Sequence, residues 1–230
     1  MLIFLYGYGI IQKIRRAKLF YKSGFVRSRN FEVYGGKNNM IFHYAGKYNG
    51  DESSLPHKEH HPNAIPFKEP ADAKKFSLIA NCGCILIMGI LAIPFLILGI
   101  EYIPDNAIWM IIGGICGGLS LLPHELLHAI CYKKDVYMYN DLVHGLMFVV
   151  GTEDMSKRRF IFMCLCPNLI LGIIPYILFL IFPQFVGLGL FGIICIGMGF
   201  GDYLNIYNAI KQMPKNSKTY LCGMHSYWYL

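Results

Sequence analysis

Charge is scarce in this chain. Only 15% of its 230 residues are Asp, Glu, Lys or Arg, against 55% hydrophobic, and the mean hydropathy is +0.42. That balance excludes an ordinary soluble domain of this length, in which about a quarter of the residues would be charged. The stretch Ser77–Ile100 has no acid, base or histidine at all. The connectors Glu101–Asn106 and Pro183–Gln184 have no Lys or Arg. Basic residues fall instead in Lys13–Lys75, at Lys133 and Lys134, at Lys157–Arg159, and at Lys211, Lys215 and Lys218. In a chain with four membrane spans, all of these lie on one side. The positive-inside rule makes that side cytoplasmic, with both termini inside. The formal charge of +7 is therefore a topology signal and not a nucleic-acid surface.

A disulfide framework is also missing. Cys82, Cys84, Cys116, Cys131, Cys164, Cys166 and Cys195 lie in or at the ends of apolar runs and read as small hydrophobes. Cys82/Cys84 and Cys164/Cys166 are two apart, hence on opposed helix faces, so neither pair is set to chelate. A secretory leader is not the reading of the first residues either. Apolar Met1–Ile11 precedes the basic cluster Lys13, Arg15, Arg16, Lys18, the reverse of a leader, and no small-residue cleavage site follows. Too short to span, it reads as an interfacial anchor on an anionic leaflet.

Four apolar runs are long enough to cross a bilayer as helices: Ser77–Ile100, Ala107–Tyr132, Phe160–Phe182 and Phe185–Ile210. The expected fold is an all-α membrane protein of about four transmembrane helices. It comprises a cytoplasmic or interfacial segment 1–76, a membrane domain 77–212 and a cytoplasmic tail 213–230. In the polar segment, Asn30–Tyr34 and Met40–Ala45 flank Gly35-Gly36-Lys37-Asn38-Asn39, which reads as a β-hairpin. His57-Lys58-Glu59-His60-His61 has no second ligand group nearby and reads as solvated linker, with metal binding as the alternative. Pro62, Pro66 and Pro70 keep the chain extended after it. Between the second and third spans, Val143–Thr152 is strand-like, suggesting a short hairpin. His144 at its start is read as a surface residue, with contact to substrate or metal as the alternative.

Within the second span lies Pro123-His124-Glu125-Leu126-Leu127-His128, an HExxH pattern. Residues four apart on a helix share one face, so both imidazoles can reach one ion, and Glu125 is placed to handle the protons of a metal-bound water. Ionisable groups inside an apolar span cost about 2.5–3.5 kcal/mol each on insertion scales, which favours function over coincidence. Gly113, Gly114, Gly117 and Gly118 upstream form small-xxx-small pairs that let helices approach. Pro123 loosens the helix just before the motif.

Two histidines leave a catalytic zinc one protein ligand short. Glu125 and Asp202 are the only acids deep in any span. His124 lies nine residues before Lys133, Asp202 nine before Lys211, and Asn168 nine after Arg159. Each is thus about 13 Å from the inner boundary. Zinc held by His124, His128 and Asp202 follows, with Glu125 as proton carrier and Asn168 holding the substrate strand or stabilising an oxyanion. For Asp202 and Asn168, helix–helix hydrogen bonds are the alternative. Pro167, in Cys166-Pro167-Asn168, frees the carbonyl of Met163, and Pro175 adds a second bend. Asp202, Asn205 and Asn208 recur at a spacing of three after Gly197, Gly199 and Gly201.

The order HELLHA (His124–Ala129), SKRRF (Ser156–Phe160), CPN (Cys166–Asn168), GFGDYLN (Gly199–Asn205), after HPNAIPFKEP (His61–Pro70), resembles the bacterial membrane family described as "putative zincin peptidase". The likeness runs over about Pro62–Pro214. It implies a site-2-protease-like zinc peptidase, with His124, His128 and Asp202 on the metal and Glu125 catalytic. Site-2 proteases have Asp followed by Gly, whereas Asp202 follows Gly201 and precedes Tyr203. No PDZ-like segment is evident. The implied partners are a membrane protein or peptide substrate and the lipid bilayer. A non-catalytic scaffold, a transporter or a pseudo-protease is the rival reading, although no internal repeat favours a transporter.

Overall fold

Proline and glycine decide where the apolar runs of this chain bend. A computed structural model describes residues 30–32, 40–69, 73–142 and 146–230. Met1–Ile11, the Gly35–Asn39 turn and His144 lie outside them. In chain order the elements are β1 (Asn30–Glu32), β2 (Ile41–Lys47), β3 (Ile65–Pro66), α1 (Ala73–Gly99), α2 (Ile103–Leu119), α3 (Leu121–Ile130), β4 (Val136–Asp141), β5 (Leu146–Val150) and β6 (Met155–Ser156). There follow α4 (Lys157–Pro167), a π-helical stretch Asn168–Ile173, α5 (Ile174–Ile181), α6 (Val186–Met198), α7 (Phe200–Gln212), β7 (Lys218–Cys222) and β8 (His225–Tyr229). The chain is mostly helical, but the all-α expectation is corrected by two four-stranded sheets.

It divides into two compact units. One comprises Met1–Leu78, Ala129–Lys157 and Gln212–Leu230, the other Ile79–His128 and Arg158–Lys211. The first unit holds both sheets, in the orders β1-β2-β4-β5 and β3-β8-β7-β6. The strands expected around the N-terminal turn do pair antiparallel, Asn30 opposite His43. The strand-like stretch after position 143 contributes β5, whose partner is the upstream β4, with Tyr137 opposite Val150. The C-terminal segment is a β-hairpin. Gly223 opens its two-residue loop at φ +61°, a backbone conformation hairpin turns of the II′ class require there.

The His57–His61 run is tied down in this unit. Lys58 Nζ donates to both carboxylate oxygens of Asp154 at 2.9 and 3.0 Å and lies 4.5 Å over the Tyr220 ring. His61 Nε2 is 3.0 Å from Asp154 Oδ1. Burial alone would raise the Asp154 carboxyl, but Lys58 and His61 outweigh it and hold it below the ordinary carboxylate value.

Among the described residues, two helical runs are long and apolar enough to cross a bilayer, Leu78–Leu119 and Lys157–Ile181. A third counts if α6 and α7, bent by 50°, form one span. The first run is not one straight rod. Along α6, the α2 contacts rise from Trp109 at Gly187 to Gly117 at Ile194, while the α1 contacts fall from Phe95 at Gly189 to Met88 at Gly197. The two helices therefore run antiparallel, folding back through Ile100–Asn106, where Asn106 (φ −121°, ψ 19°) is non-helical. Gly113 is required where α2 crosses α6, since a Cβ there would lie 2.1 Å from the Gly187 carbonyl oxygen. Phe95, Tyr176, Phe179, Val186 and Ile193 form the core beneath.

Three interruptions shape the unit around the motif. The expected second span is two helices, α2 and α3, parted at Ser120 (φ −69°, ψ −5°). Pro123 offers no N–H to the Leu119 carbonyl and its ring crowds it, so the helix must restart. Ser120 Oγ donates to the Gly117 carbonyl at 2.7 Å, and Cys195 Sγ donates to Ser120 Oγ at 3.2 Å. The third run widens into the π-helical stretch directly after Pro167. The fourth bends at Gly199, between α6 and α7.

Candidate metal centre

Helix α3 turns one stripe inward. His124, Glu125, His128 and Ala129 are buried, at 6%, 9%, 7% and 2% exposure, as a helix of period 3.6 places positions i, i+1, i+4 and i+5. His124 and His128 aim their Nε2 atoms at each other, 3.2 Å apart. Asp202, on the first turn of α7, closes the triangle. Its Oδ2 is 3.1 Å from His124 Nε2 and its Oδ1 is 3.2 Å from His128 Nε2. These three side chains form a group able to hold a metal ion, all within the second unit.

The donor chemistry fits zinc. A tetrahedral ion about 2.0–2.1 Å from each ligand would set the ligands roughly 3.3 Å apart, close to the spacing seen. The tautomer fits as well. His128 Nδ1 is 3.0 Å from the Met163 carbonyl oxygen. A carbonyl only accepts, so Nδ1 carries the proton, and Nε2 of the neutral ring is left with a bare lone pair facing the triangle. Imidazole donors held from behind in this way are the usual support of a metal-ligating histidine.

Asn168 stands behind Asp202. It is wholly buried, at 0% exposure. Its Nδ2 donates to Asp202 Oδ2 at 2.8 Å and to the Cys164 carbonyl at 3.0 Å, while Tyr203 donates its hydroxyl to Asn168 Oδ1 at 3.2 Å. The amide orientation is dictated by chemistry: an ionised carboxylate only accepts, so the NH2 group must face Asp202. Gly199 makes the fit possible. A Cβ at that position would lie 1.5 Å from Asn168 Oδ1.

Sequence arithmetic put His124, Asn168 and Asp202 in one layer, and these distances bring them together. Two partners have no signal in the sequence. The sequence marks the Met163 carbonyl as unpaired but gives no sign that His128 is its donor. The Tyr203 hydroxyl gave no signal beyond its place next to Asp202. The His57–His61 run stays outside the group.

Two histidines one helical turn apart and a carboxylate from another helix, beside a glutamate, are the donor set of mononuclear zinc hydrolases. What the site defines is a His/His/Asp group able to hold a metal ion, set in an apolar helical unit. Residues 117–218 match the model of the family described as "Putative zincin peptidase". The matched stretch contains the whole HExxH motif, Asn168 and Asp202, so the resemblance drawn from the sequence holds there. No curated protein and no solved structure matches the chain.

Proposed function

We propose that this chain is an integral membrane zinc endopeptidase that hydrolyses peptide bonds in or near the bilayer. The observation that carries the reading is the convergence of His124 Nε2, His128 Nε2 and the Asp202 carboxylate at 3.1–3.2 Å inside an apolar helical unit. The family description, with its zinc and its peptidase chemistry, supports the same conclusion.

The polypeptide reaches this centre by four crossings. The antiparallel run of α1 and α2 supports two of them, α4 through α5 a third, and the bent pair α6–α7 a fourth. Exposed Ile97, Ile108, Trp109, Ile115 and Leu119 suit contact with lipid. Basic residues gathered on one side support both termini in the cytoplasm.

When bound, zinc supplies polarisation of a carbonyl and acidification of a water molecule. The chain supplies the rest. His124, His128 and Asp202 would hold the ion. Glu125 takes a proton from the attacking water and delivers it to the departing amine as the C–N bond breaks. The substrate is a membrane protein or a peptide at the membrane.

The detergent-purified chain, incubated with peptides spanning a transmembrane segment and its flanks, is expected to cleave them. A zinc chelator should stop cleavage, and restored zinc should return it. Cleavage that proceeds unchanged in chelator would overturn the metal mechanism.

A further inference from the structure

A single dipeptide stands behind two of the three metal donors. Helix α4 ends at Pro167, and the π-helical stretch begins at Asn168. Pro167 has no N–H, so the carbonyl four residues back, that of Met163, has lost its usual helical partner. That carbonyl is the one that meets His128 Nδ1, at 3.0 Å. The next residue, Asn168, donates to Asp202 Oδ2 at 2.8 Å. Nothing about a lone helix break demands this. A proline-freed carbonyl in an apolar segment needs a donor, and the donor here is the back of a ligand ring.

Resting on the zinc reading above, we propose that Pro167 and Asn168 are positioning residues that set the tautomer of His128 and the orientation of Asp202. Pro167 acts through the Met163 carbonyl. With an ordinary residue at 167, a helical N–H would compete for that oxygen, and His128 Nδ1 would lose part of its anchor. The ring would then be free to turn or to adopt the other tautomer, and Nε2 would no longer present its lone pair to His124 and Asp202. Asn168 acts directly. Its two hydrogens are divided between Cys164 and Asp202, and the Tyr203 hydroxyl fixes its oxygen. The Asp202 carboxylate is thereby aimed at both imidazoles. Its complete burial and its spent hydrogens suit this support better than contact with substrate.

Cobalt(II) provides a readout independent of proteolysis, because its visible spectrum reports ligand geometry and its titration gives affinity. Full-length Pro167→Ala, Asn168→Ala and Tyr203→Phe would be compared with the unaltered chain, together with the melting temperature of each metal-free protein. Gly89→Ala on α1 serves as a control, since nothing lies within 4 Å of a Cβ added there and it touches no residue of the centre. Pro167→Ala and Asn168→Ala are expected to weaken metal binding by about 10- to 100-fold, the usual effect of removing an outer partner. Both should change the cobalt spectrum. Tyr203→Phe removes only a hydroxyl and is expected to cost about 2- to 10-fold. This gentler variant keeps the test alive should the others fold poorly. Gly89→Ala should bind as the unaltered chain does.

Variants that melt lower yet bind cobalt with unchanged affinity and spectrum would reduce both residues to packing and overturn the inference. An unaltered chain that binds no cobalt would overturn the zinc reading itself, and this inference with it.

Discussion

Glu125→Gln is expected to leave the metal in place and remove most of the turnover. Glutamine matches glutamate in size and hydrogen-bonding reach, so the buried stripe of α3 with His124 and His128 should pack unchanged. What it cannot do is accept a proton. A positioned acid–base group contributes about 10²- to 10⁴-fold to rate, and the loss should fall in kcat, with KM little altered. Zinc per chain, measured on the same preparation, separates this result from collapse of the centre. Unchanged cleavage by Glu125→Gln would remove Glu125 from the mechanism. Loss of zinc together with activity would show that it supports the site and does not carry the proton.

The second large effect is expected from a residue with no side chain. Gly199 sits where α6 turns into α7, and a Cβ there would meet Asn168 Oδ1 at 1.5 Å. Asn168 cannot yield easily, because its three hydrogen bonds tie it to Cys164, Asp202 and Tyr203. Gly199→Ala must therefore push apart the helices or rotate the amide away from Asp202. Overpacking and an orphaned buried amide together cost about 2–5 kcal/mol. Thermal unfolding in detergent should show the loss, and metal affinity should fall with it. Gly201→Ala offers the contrast, since nothing lies within 4 Å of a Cβ there. A Gly199→Ala protein as stable as Gly201→Ala would contradict the packing described for Asn168.

The helical part of the fold was legible because its signals are local and repeated. Long apolar runs, the HExxH spacing and the equal depths of His124, Asn168 and Asp202 could be read residue by residue. The sheets were not. Strand β4 pairs in parallel with β2 at Phe42 and Val136, and no local pattern links residues so far apart. The C-terminal hairpin was nearer to view, because the aromatic stretch Tyr227-Trp228-Tyr229 and Gly223 are strand and turn signals. Its strands are short, and set after a long helix they read as tail. Of the site, the candidate metal-holding group follows from residue type and spacing. The hydrogen bonds behind them depend on helix rotation, which spacing does not determine. Pro167 announced a free carbonyl, but only the packed helices show that His128 claims it.

Zinc content of the purified protein, beside His128→Ala and Asp202→Ala, tests the account most directly. The three-ligand centre predicts about one zinc per chain in the unaltered protein and loss of it in both variants. Zinc lost with His128→Ala but retained with Asp202→Ala would reduce Asp202 to a helix contact. An unaltered chain that holds no metal, even after zinc is added back, would contradict the central claim and favour a membrane scaffold.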